Sequence, residues 1–382
     1  MEFRDLKTQY LQSKQAIDEA IQNVLLSSHF IGGEPVNQLE EKLADYVGVK
    51  HCITCANGTD ALQLALMAWN IGEGDAVFVP DFTFFSSVEI VPWVKATPVF
   101  VDVDKNTFNI SVKALEEAVQ NVIRDGKLKP KAVIAVDLFG CPADFLRIRE
   151  ITEKYGMLLL EDGAQGFGGR IGNQKACSFG DIATTSFFPA KPLGCYGDGG
   201  AVFTDNDDWA DLVKSYKVHG KGTDKYDNIR IGLNSRLDTM QAAVLLEKLK
   251  IFEEYELQEV NQVATWYNEK LQNSKVICPE IPEKYFSSWA QYTIILPDAK
   301  VRNELQNHLK QFDIPSMVYY AKPMHKQIAF VKNHTGIWYD DLYFKNTVEL
   351  CNRVLSLPMH PYMREKDVDC VVETINVGLN RY

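Results

Sequence analysis

The chain has 382 residues, of which 46% are hydrophobic and 24% are charged, and its 40 basic and 51 acidic side chains give a formal net charge of −11. This composition is typical of a globular protein of about two domains, and it excludes collagen, a coiled coil and a disordered chain. The acidic balance disfavours nucleic acids and anionic membranes as partners, because like charges repel.

The ends of the chain and its cysteines indicate a compartment. No charged and apolar leader precedes the first helix, and no window reaches the roughly 18 uncharged apolar residues of a membrane span. We therefore expect a cytoplasmic protein without membrane association. The eight cysteines are scattered, so we expect reduced thiols. Cys52 and Cys55 have CxxC spacing, but no second pair lies at zinc-finger distance, which favours strand thiols and no metal.

The first 205 residues predict an α/β fold. An N-terminal helix ends at HFIGGEP, where two glycines and a proline break the periodicity, and a second helix follows at Val36–Tyr46. Short apolar runs then alternate with amphipathic stretches, which predicts a mainly parallel sheet with its ligand site at the carboxyl ends of the strands. The predicted strands are Cys52–Cys55, Ala76–Pro80, Pro98–Val103, Ala132–Asp137, Met157–Glu161, Thr184–Phe188 and Ala201–Thr204, and the predicted helices between them include Ala61–Trp69, Val112–Arg124 and Phe145–Tyr155.

The pattern changes after Asn234. Residues 235–271 contain neither Pro nor Gly and predict one long helix, or two nearly continuous ones. We assign residues 236–273 as a connecting helix between a large domain, residues 1–235, and a small α+β domain, residues 274–382. The small domain is predicted to contain a strand, Gln291–Leu296, and two helices, Lys300–Phe312 and Val368–Leu379.

A lysine is the first candidate for chemistry. Lys191 lies after a predicted strand, in the block SFFPAKPLGCYGDGGA, which is rich in Pro and Gly. A single lysine is usually a solvated surface charge. A nucleophilic lysine must be partly desolvated so that its pKa falls, and the apolar residues before Lys191 and the tight turn after it suit that requirement.

Three further blocks follow predicted strands. Asp162 in EDGAQ either caps a turn or holds the proton of a cofactor's pyridine nitrogen. Gly58 and Thr59 in ANGTDAL begin a helix, where free N–H groups bind anions unless the motif is only a cap. Phe84 in PDFTF is either a core side chain or a ring that stacks on a planar ligand. Together with Lys191 these are the parts of a pyridoxal phosphate pocket.

The order of these blocks resembles the vitamin-B6-dependent sugar aminotransferases of fold type I, the DegT/DnrJ/EryC1/StrS family. The similarity runs from FRDLKTQY through ANGTDALQLAL, VPDFTFFSS, ATPVFVDVD, EDGAQGFGG, SFFPAKPLGCYGDGGA and GLNSRLDTMQAA to LSLPMHP. It implies an aspartate-aminotransferase-like large domain with a mainly parallel seven-stranded sheet and a small α+β C-terminal domain. Two residues depart from the family pattern. Gly163 stands where Ala is commoner, and Pro192 stands where Asn often follows the lysine.

The resemblance also implies the cofactor and its contacts. Pyridoxal 5′-phosphate (PLP) is expected as an imine on Lys191, with Asp162 as the partner of the pyridine nitrogen and Gln165 beside the 3-hydroxyl. The remaining implied cofactor contacts are Gly58, Thr59 and Ser186 at the phosphate, Phe84 on the ring, and Asn234 at the phosphate of the neighbouring subunit. The last of these implies a homodimer with shared active sites.

Within the family, the blocks are most similar to enzymes that aminate C3 of a UDP-linked 3-keto-2-acetamido sugar of the glucuronate type. L-Glutamate is then the amino donor, and the product serves surface polysaccharide or lipopolysaccharide biosynthesis. The implied substrate contacts are Phe30, Tyr319, Tyr320 and the partner subunit's Arg236. An arginine fork suits a carboxylate or a diphosphate, although an interface salt bridge remains an equal alternative for Arg236.

Four other functions are alternatives. The first is amination of C4 in a UDP- or dTDP-4-keto-6-deoxy sugar. Related sugar dehydratases carry His at the lysine position, so Lys191 argues against that activity. A non-catalytic regulator would not need the full set of pocket residues. A nicotinamide-dependent oxidoreductase is disfavoured because no GxGxxG lies between a strand and a helix.

Overall fold

A seven-stranded sheet lies at the centre of the computed structural model, which describes residues 1–224, 226–332 and 340–380. In chain order, the strands of these residues are β1 (His51–Cys55), β2 (Asp75–Pro80), β3 (Thr97–Val101), β4 (Lys129–Val136), β5 (Leu158–Asp162), β6 (Arg170–Ile171), β7 (Gln174–Lys175), β8 (Ile182–Ser186), β9 (Gly200–Thr204), β10 (Tyr285–Phe286), β11 (Tyr292–Ile295) and β12 (Val354–Leu357). The central sheet has the order β1-β9-β8-β5-β4-β2-β3, so all seven predicted strands belong to it.

Most strands of the central sheet run in the same direction. The pairings β2–β3, β2–β4, β4–β5 and β5–β8 are parallel, whereas β9 is antiparallel to both of its neighbours, β8 and β1. The central strands are buried almost throughout, as expected of a sheet that helices cover on both faces. The predicted α/β fold with a mainly parallel sheet is confirmed.

Thirteen α-helices surround the sheets in the described part of the chain. They are α1 (Leu6–Ser27), α2 (Glu34–Val47), α3 (Gly58–Ala68), α4 (Ser86–Trp93), α5 (Val112–Asp125), α6 (Phe145–Tyr155), α7 (Asp207–Tyr216), α8 (Thr239–Ile251), α9 (Leu257–Leu271), α10 (Ala299–Gln311), α11 (Ile328–Lys332), α12 (Lys345–Arg353) and α13 (Glu365–Leu379). Side-chain caps explain several starting points: Ser111 accepts the N–H of Ala114, and Asp144 accepts that of Arg147. None of the described helices combines the length and apolar character needed to cross a bilayer.

The predicted connector consists of two nearly continuous helices. A π-helical segment, Phe252–Glu256, joins α8 to α9 without a break in the backbone. Helix α8 packs against α1 and α2, and α9 packs against α13. The connector therefore spans from the N-terminal helices to the C-terminal helix.

The C-terminal part has its own apolar core. Strands β11 and β12 form an antiparallel pair, and Tyr267, Tyr292 and Leu309 belong to the buried cluster around them. However, β10 pairs with β6 next to the central sheet, and Met324 and Phe330 pack into the core of the large sheet. The division into domains at residues 235 and 273 thus stays a prediction.

Candidate active site

The candidate site lies at the carboxyl edge of the central sheet. Asp162 is the last residue of β5 and Ser186 the last of β8, while Gly58 begins the helix that follows β1. Phe84 follows β2, whose carboxyl end lies at the same edge. Five predicted pocket residues, counting Lys191 in the loop after β8, therefore come from strand ends of one sheet.

Asp162 is a buried acid with defined partners. Asp162 is only 4% exposed. Its carboxylate accepts hydrogen bonds from Ser87 Oγ at 2.7 Å and from the Ala164 N–H at 3.2 Å. Burial raises the pKa of Asp162, while these bonds and the charge of Lys191 lower it. The carboxylate is thus oriented and has little water to solvate it.

Lys191 lies in a tight loop after β8. Its N–H donates to the Phe188 carbonyl at 2.8 Å, and the Cys195 N–H closes the loop on the Phe187 carbonyl at 2.7 Å. Burial lowers the pKa of the Lys191 amine, and the nearby Asp162 carboxylate opposes that shift. A lowered pKa increases the fraction of neutral amine, which is the nucleophilic form.

Gln165 joins this edge of the sheet to the C-terminal part. Its side-chain oxygen accepts the Phe139 N–H at 2.7 Å, and its side-chain nitrogen donates to the Tyr320 hydroxyl at 3.1 Å. The Tyr320 ring lies 6.3 Å from that of Phe84, centre to centre, and 5.7 Å from that of Tyr319. Half of the Phe84 side chain is exposed, so its ring can contact a ligand.

The start of α3 fits an anion. Asn57 caps the helix by accepting the Asp60 N–H at 2.8 Å, and the N–H groups of Gly58 and Thr59 precede the first intrahelical bond. A Cβ atom at Gly58 would lie 2.7 Å from Cβ of Ser186, so only glycine allows this close approach. The helix start and the Ser186 hydroxyl therefore form one cradle that suits a phosphate.

The structure places the other predicted residues elsewhere. Asn234 and Arg236 are exposed and line a different pocket, together with Ile31, Ala56, Gly197, Asp198, Asp238 and Gln241. Phe30 is about half exposed beside them, and its carbonyl accepts the Thr239 N–H at 3.0 Å. A single chain thus does not bring these three residues into the group formed by Lys191, Asp162 and Gln165.

Some residues of the site were missed by the sequence analysis. Ser87 bonds Asp162 directly, and its only signal is its place in the PDFTFFSS block. Glu161, next to Asp162 on β5, points to the opposite face, where it accepts the N–H groups of Cys177, Phe179 and Gly180. A Cβ atom at Gly163 would lie 2.6 Å from Sγ of Cys177, which explains the departure from alanine there.

A second buried acid pairs with Glu161. The carboxyl group of Asp137, which follows β4, is buried within electrostatic range of that of Glu161, and its Oδ1 accepts the Ala143 N–H at 3.1 Å. Two negative charges in a buried place repel each other, and this repulsion favours the neutral form of Asp137. Burial and the charge of Glu161 raise the pKa of Asp137, and burial also raises that of Glu161.

The chain has the architecture of a PLP-dependent transferase of fold type I. It combines a mainly parallel α/β sheet with a desolvated lysine, a buried carboxylate and a phosphate cradle at a helix start, all at the strand ends. The comparisons support this class. The model of the DegT/DnrJ/EryC1/StrS aminotransferase family matches residues 12–376. A crystal structure of a DegT DnrJ EryC1 StrS aminotransferase from Brucella abortus superposes with a TM-score of 0.95 at 46% identity, covering 99% of each chain.

Two curated relatives are similar over almost their whole length. UDP-2-acetamido-2-deoxy-3-oxo-D-glucuronate aminotransferase of Pseudomonas aeruginosa is 42% identical over 95% of this chain and 96% of its own. UDP-N-acetyl-3-dehydro-alpha-D-glucosamine 3-aminotransferase of Acidithiobacillus ferrooxidans is 36% identical over 98% and 97%. The chain belongs to the DegT/DnrJ/EryC1/StrS aminotransferase family. It is a nucleotide-sugar aminotransferase whose cofactor, PLP, binds to a lysine.

The Asp137–Glu161 pair generates a pH prediction for the protein without added cofactor. Because folding raises the pKa of Asp137, the folded chain keeps a proton that the unfolded chain releases, and the free energy of unfolding falls as pH rises above about 4. Asp137→Asn removes the carboxyl group that holds this proton. As pH rises above about 5, the free energy of unfolding of the variant should gain on that of the wild type by up to about 1.4 kcal/mol per pH unit, as measured by urea unfolding.

The control is Asp45→Asn, which removes an exposed carboxylate on α2. Its difference from the wild type should stay constant over the same pH range. A pH-independent difference for Asp137→Asn would show that the pair does not hold a proton.

Proposed function

We propose that this enzyme transfers the amino group of L-glutamate to C3 of a UDP-linked 3-keto-2-acetamido sugar of the glucuronate type. The observation that carries the proposal is the desolvated amine of Lys191 within electrostatic range of the buried Asp162 carboxylate at the strand ends. These two groups supply the nucleophile and the counter-charge that amino transfer requires.

The residues of the site fit PLP. We infer that Lys191 holds the aldehyde carbon covalently and that Asp162 keeps the ring nitrogen protonated. Gly58, Thr59 and Ser186 then bind the phosphate, Gln165 contacts the 3-hydroxyl and Phe84 stacks on the ring. When bound, PLP withdraws electrons from the carbon that carries the transferred nitrogen.

The protein groups move the protons. With PLP and an amino donor bound, the free amine of Lys191 would accept the proton of the donor's α-carbon and would return it to the carbon on the other side of the transferred nitrogen. Asp162, oriented by hydrogen bonds from Ser87 and Ala164, would face the ring nitrogen and hold its proton by charge. The same two side chains serve the reverse steps with the keto sugar, so ping-pong kinetics are expected.

The similarity to the two curated relatives supports C3 as the site of amination. Both act on 3-oxo or 3-dehydro UDP-sugars, and the relative with 42% identity acts on the glucuronate. Arg236 suits the carboxylate or the diphosphate of such a sugar, and Phe30, Tyr319 and Tyr320 are the other proposed sugar contacts. We place the reaction in the cytoplasm, in surface polysaccharide or lipopolysaccharide biosynthesis.

A homodimer with shared sites accounts for the residues left outside the Lys191 group. Asn234 and Arg236 are exposed in one chain, and apolar side chains near them are exposed too: Ile31 by 51% and Ile231 by 92%. A second copy that covers this surface would bury the apolar groups. We propose that the partner subunit's Asn234 and the partner subunit's Arg236 complete the site.

The first test replaces the two central residues. Lys191→Ala should lower turnover with glutamate to below about one-thousandth of the wild type and abolish the visible absorbance of the lysine-bound cofactor. Asp162→Asn should keep bound cofactor but lose about 100-fold in turnover, because an amide does not hold the ring-nitrogen proton by charge. The exposed Lys113→Ala is the matched control. Full activity of Lys191→Ala would refute the site assignment.

The second test mixes two inactive variants. Lys191→Ala and Asn234→Asp should each be inactive, the latter because a carboxylate repels the phosphate. In a co-expressed heterodimer purified through two tags, one site takes both changes and the other takes neither. Its activity should reach about half that of the wild type. Activity no higher than that of either variant alone would place Asn234 in the site of its own chain.

The third test identifies the sugar. With glutamate as donor, release of 2-oxoglutarate should be fastest with the UDP-3-keto-2-acetamido glucuronate. The 3-keto sugar with a hydroxymethyl group in place of the carboxylate should have a kcat/KM about tenfold lower, and Arg236→Gln should remove that preference. Faster turnover of a UDP- or dTDP-4-keto-6-deoxy sugar would contradict C3 amination.

A further inference from the structure

A group of charged and polar side chains, buried or partly buried, lies behind the loop that carries Lys191. We call it the Glu256 cluster, and it consists of Arg4, Gln9, Lys248, Glu256 and Tyr362. Its members come from the N-terminal segment, the connector and the C-terminal part, which are distant in the sequence. The sequence analysis assigned no role to any of them.

Glu256 is the centre of this cluster. It is 4% exposed and lies in the π-helical segment between α8 and α9. Its Oε1 accepts a hydrogen bond from Gln9 Nε2 at 2.7 Å and another from the Tyr362 hydroxyl. A buried carboxylate is stable only with hydrogen bonds and a cation nearby, and the charge of Glu256 acts electrostatically on two cationic side chains, Arg4 and Lys248.

Arg4 connects the cluster to the catalytic loop. Its Nη2 donates to the main-chain carbonyl of Lys191 at 3.2 Å, across 187 positions of the sequence. Burial lowers the pKa of the Arg4 guanidinium, and the negative charge of Glu256 opposes this shift and so favours the charged form. The neighbouring backbone is also held, because the Phe3 carbonyl accepts the Met359 N–H at 3.2 Å and Asp5 caps α1.

The far end of the same loop rests on α8. Tyr196 N–H donates to Gln241 Oε1 at 2.8 Å, and Gln241 Nε2 returns a bond to the Tyr196 carbonyl at 3.3 Å. Lys248 follows Gln241 by about two turns of α8. Its Nζ lies 4.9 Å from the centre of the Tyr196 ring. The loop is therefore attached at Tyr196 by the connector and at Lys191 by Arg4.

We propose that Arg4 is a positioning residue for Lys191, acting through the hydrogen bond that its guanidinium donates to the Lys191 main-chain carbonyl. The guanidinium fixes the Lys191 backbone from behind, so the amine keeps its reach toward the site. The inference rests on the proposed role of Lys191. A displacement of about 1 Å at a reacting group can cost up to about 100-fold in rate. Loss of the bond from Arg4 to the Lys191 carbonyl should therefore measurably slow the amino-transfer reaction.

The test compares Arg4→Gln and Arg4→Lys with Arg147→Gln, an exposed arginine on α6. Hydrogen exchange of the full-length protein is measured with and without PLP. In Arg4→Gln the amides of Lys191 and Cys195 should exchange at least about fivefold faster than in the wild type, while those of β4 and β5 are unchanged. In the holoenzyme, the single-turnover rate with glutamate should fall about tenfold, with KM for the sugar within about twofold of the wild type.

Arg4→Lys keeps the positive charge in the cluster and should fold even if Arg4→Gln does not. It should show the same loop-specific exchange, because an ammonium group does not reproduce the planar guanidinium that donates to the Lys191 carbonyl. Wild-type exchange of the loop in both variants, or equal acceleration in β4 and β5, would overturn the positioning role. Activity retained by Lys191→Ala would refute the proposed function instead, and it would leave the exchange result unaffected.

Discussion

The site depends on the attraction between Lys191 and Asp162 in a place from which water is largely excluded. Burial alone drives both groups toward their neutral forms, lowering the pKa of the lysine and raising that of the acid. Each charge opposes the shift of the other. Hydrogen bonds from Ser87 and Ala164 favour the ionised acid further, so the balance leaves a carboxylate beside an amine that can lose its proton.

The net charge of −11 describes the outside of the molecule, whereas the ligands of a nucleotide-sugar aminotransferase are anions. Local groups at the site must therefore attract these anions against the repulsion of the overall negative charge. Backbone N–H groups at Gly58 and Thr59 carry the positive end of a helix dipole, and the Ser186 hydroxyl lies against them. Burial and the nearby acids raise the pKa of Asp137, which favours its neutral form close to Asp162.

Local patterns predicted most of the fold and the residues at the strand ends. Helix α6 begins and ends at the predicted residues, because its apolar spacing, the Asp144 cap and Gly156 are all local signals. Lys191 and Asp162 stood out because each follows an apolar run, whereas Gln165 was identified only through the family resemblance. Ser87, Asp137 and Arg4 could not be found this way, since their partners lie 24 to 187 positions away and only the folded sheet brings them together.

A buried contact between an acid and a histidine is one of the links between the C-terminal part and the site. Asp81, directly after β2, accepts hydrogen bonds from the backbone N–H and from Nδ1 of His325, both at 2.7 Å, and the His325 ring stacks on Phe344 at 4.6 Å. This pair holds the segment that carries Tyr320, whose hydroxyl bonds Gln165. Because a buried pair with good geometry resists separation, an acid at the edge of the sheet helps to fix the position of Tyr319 and Tyr320.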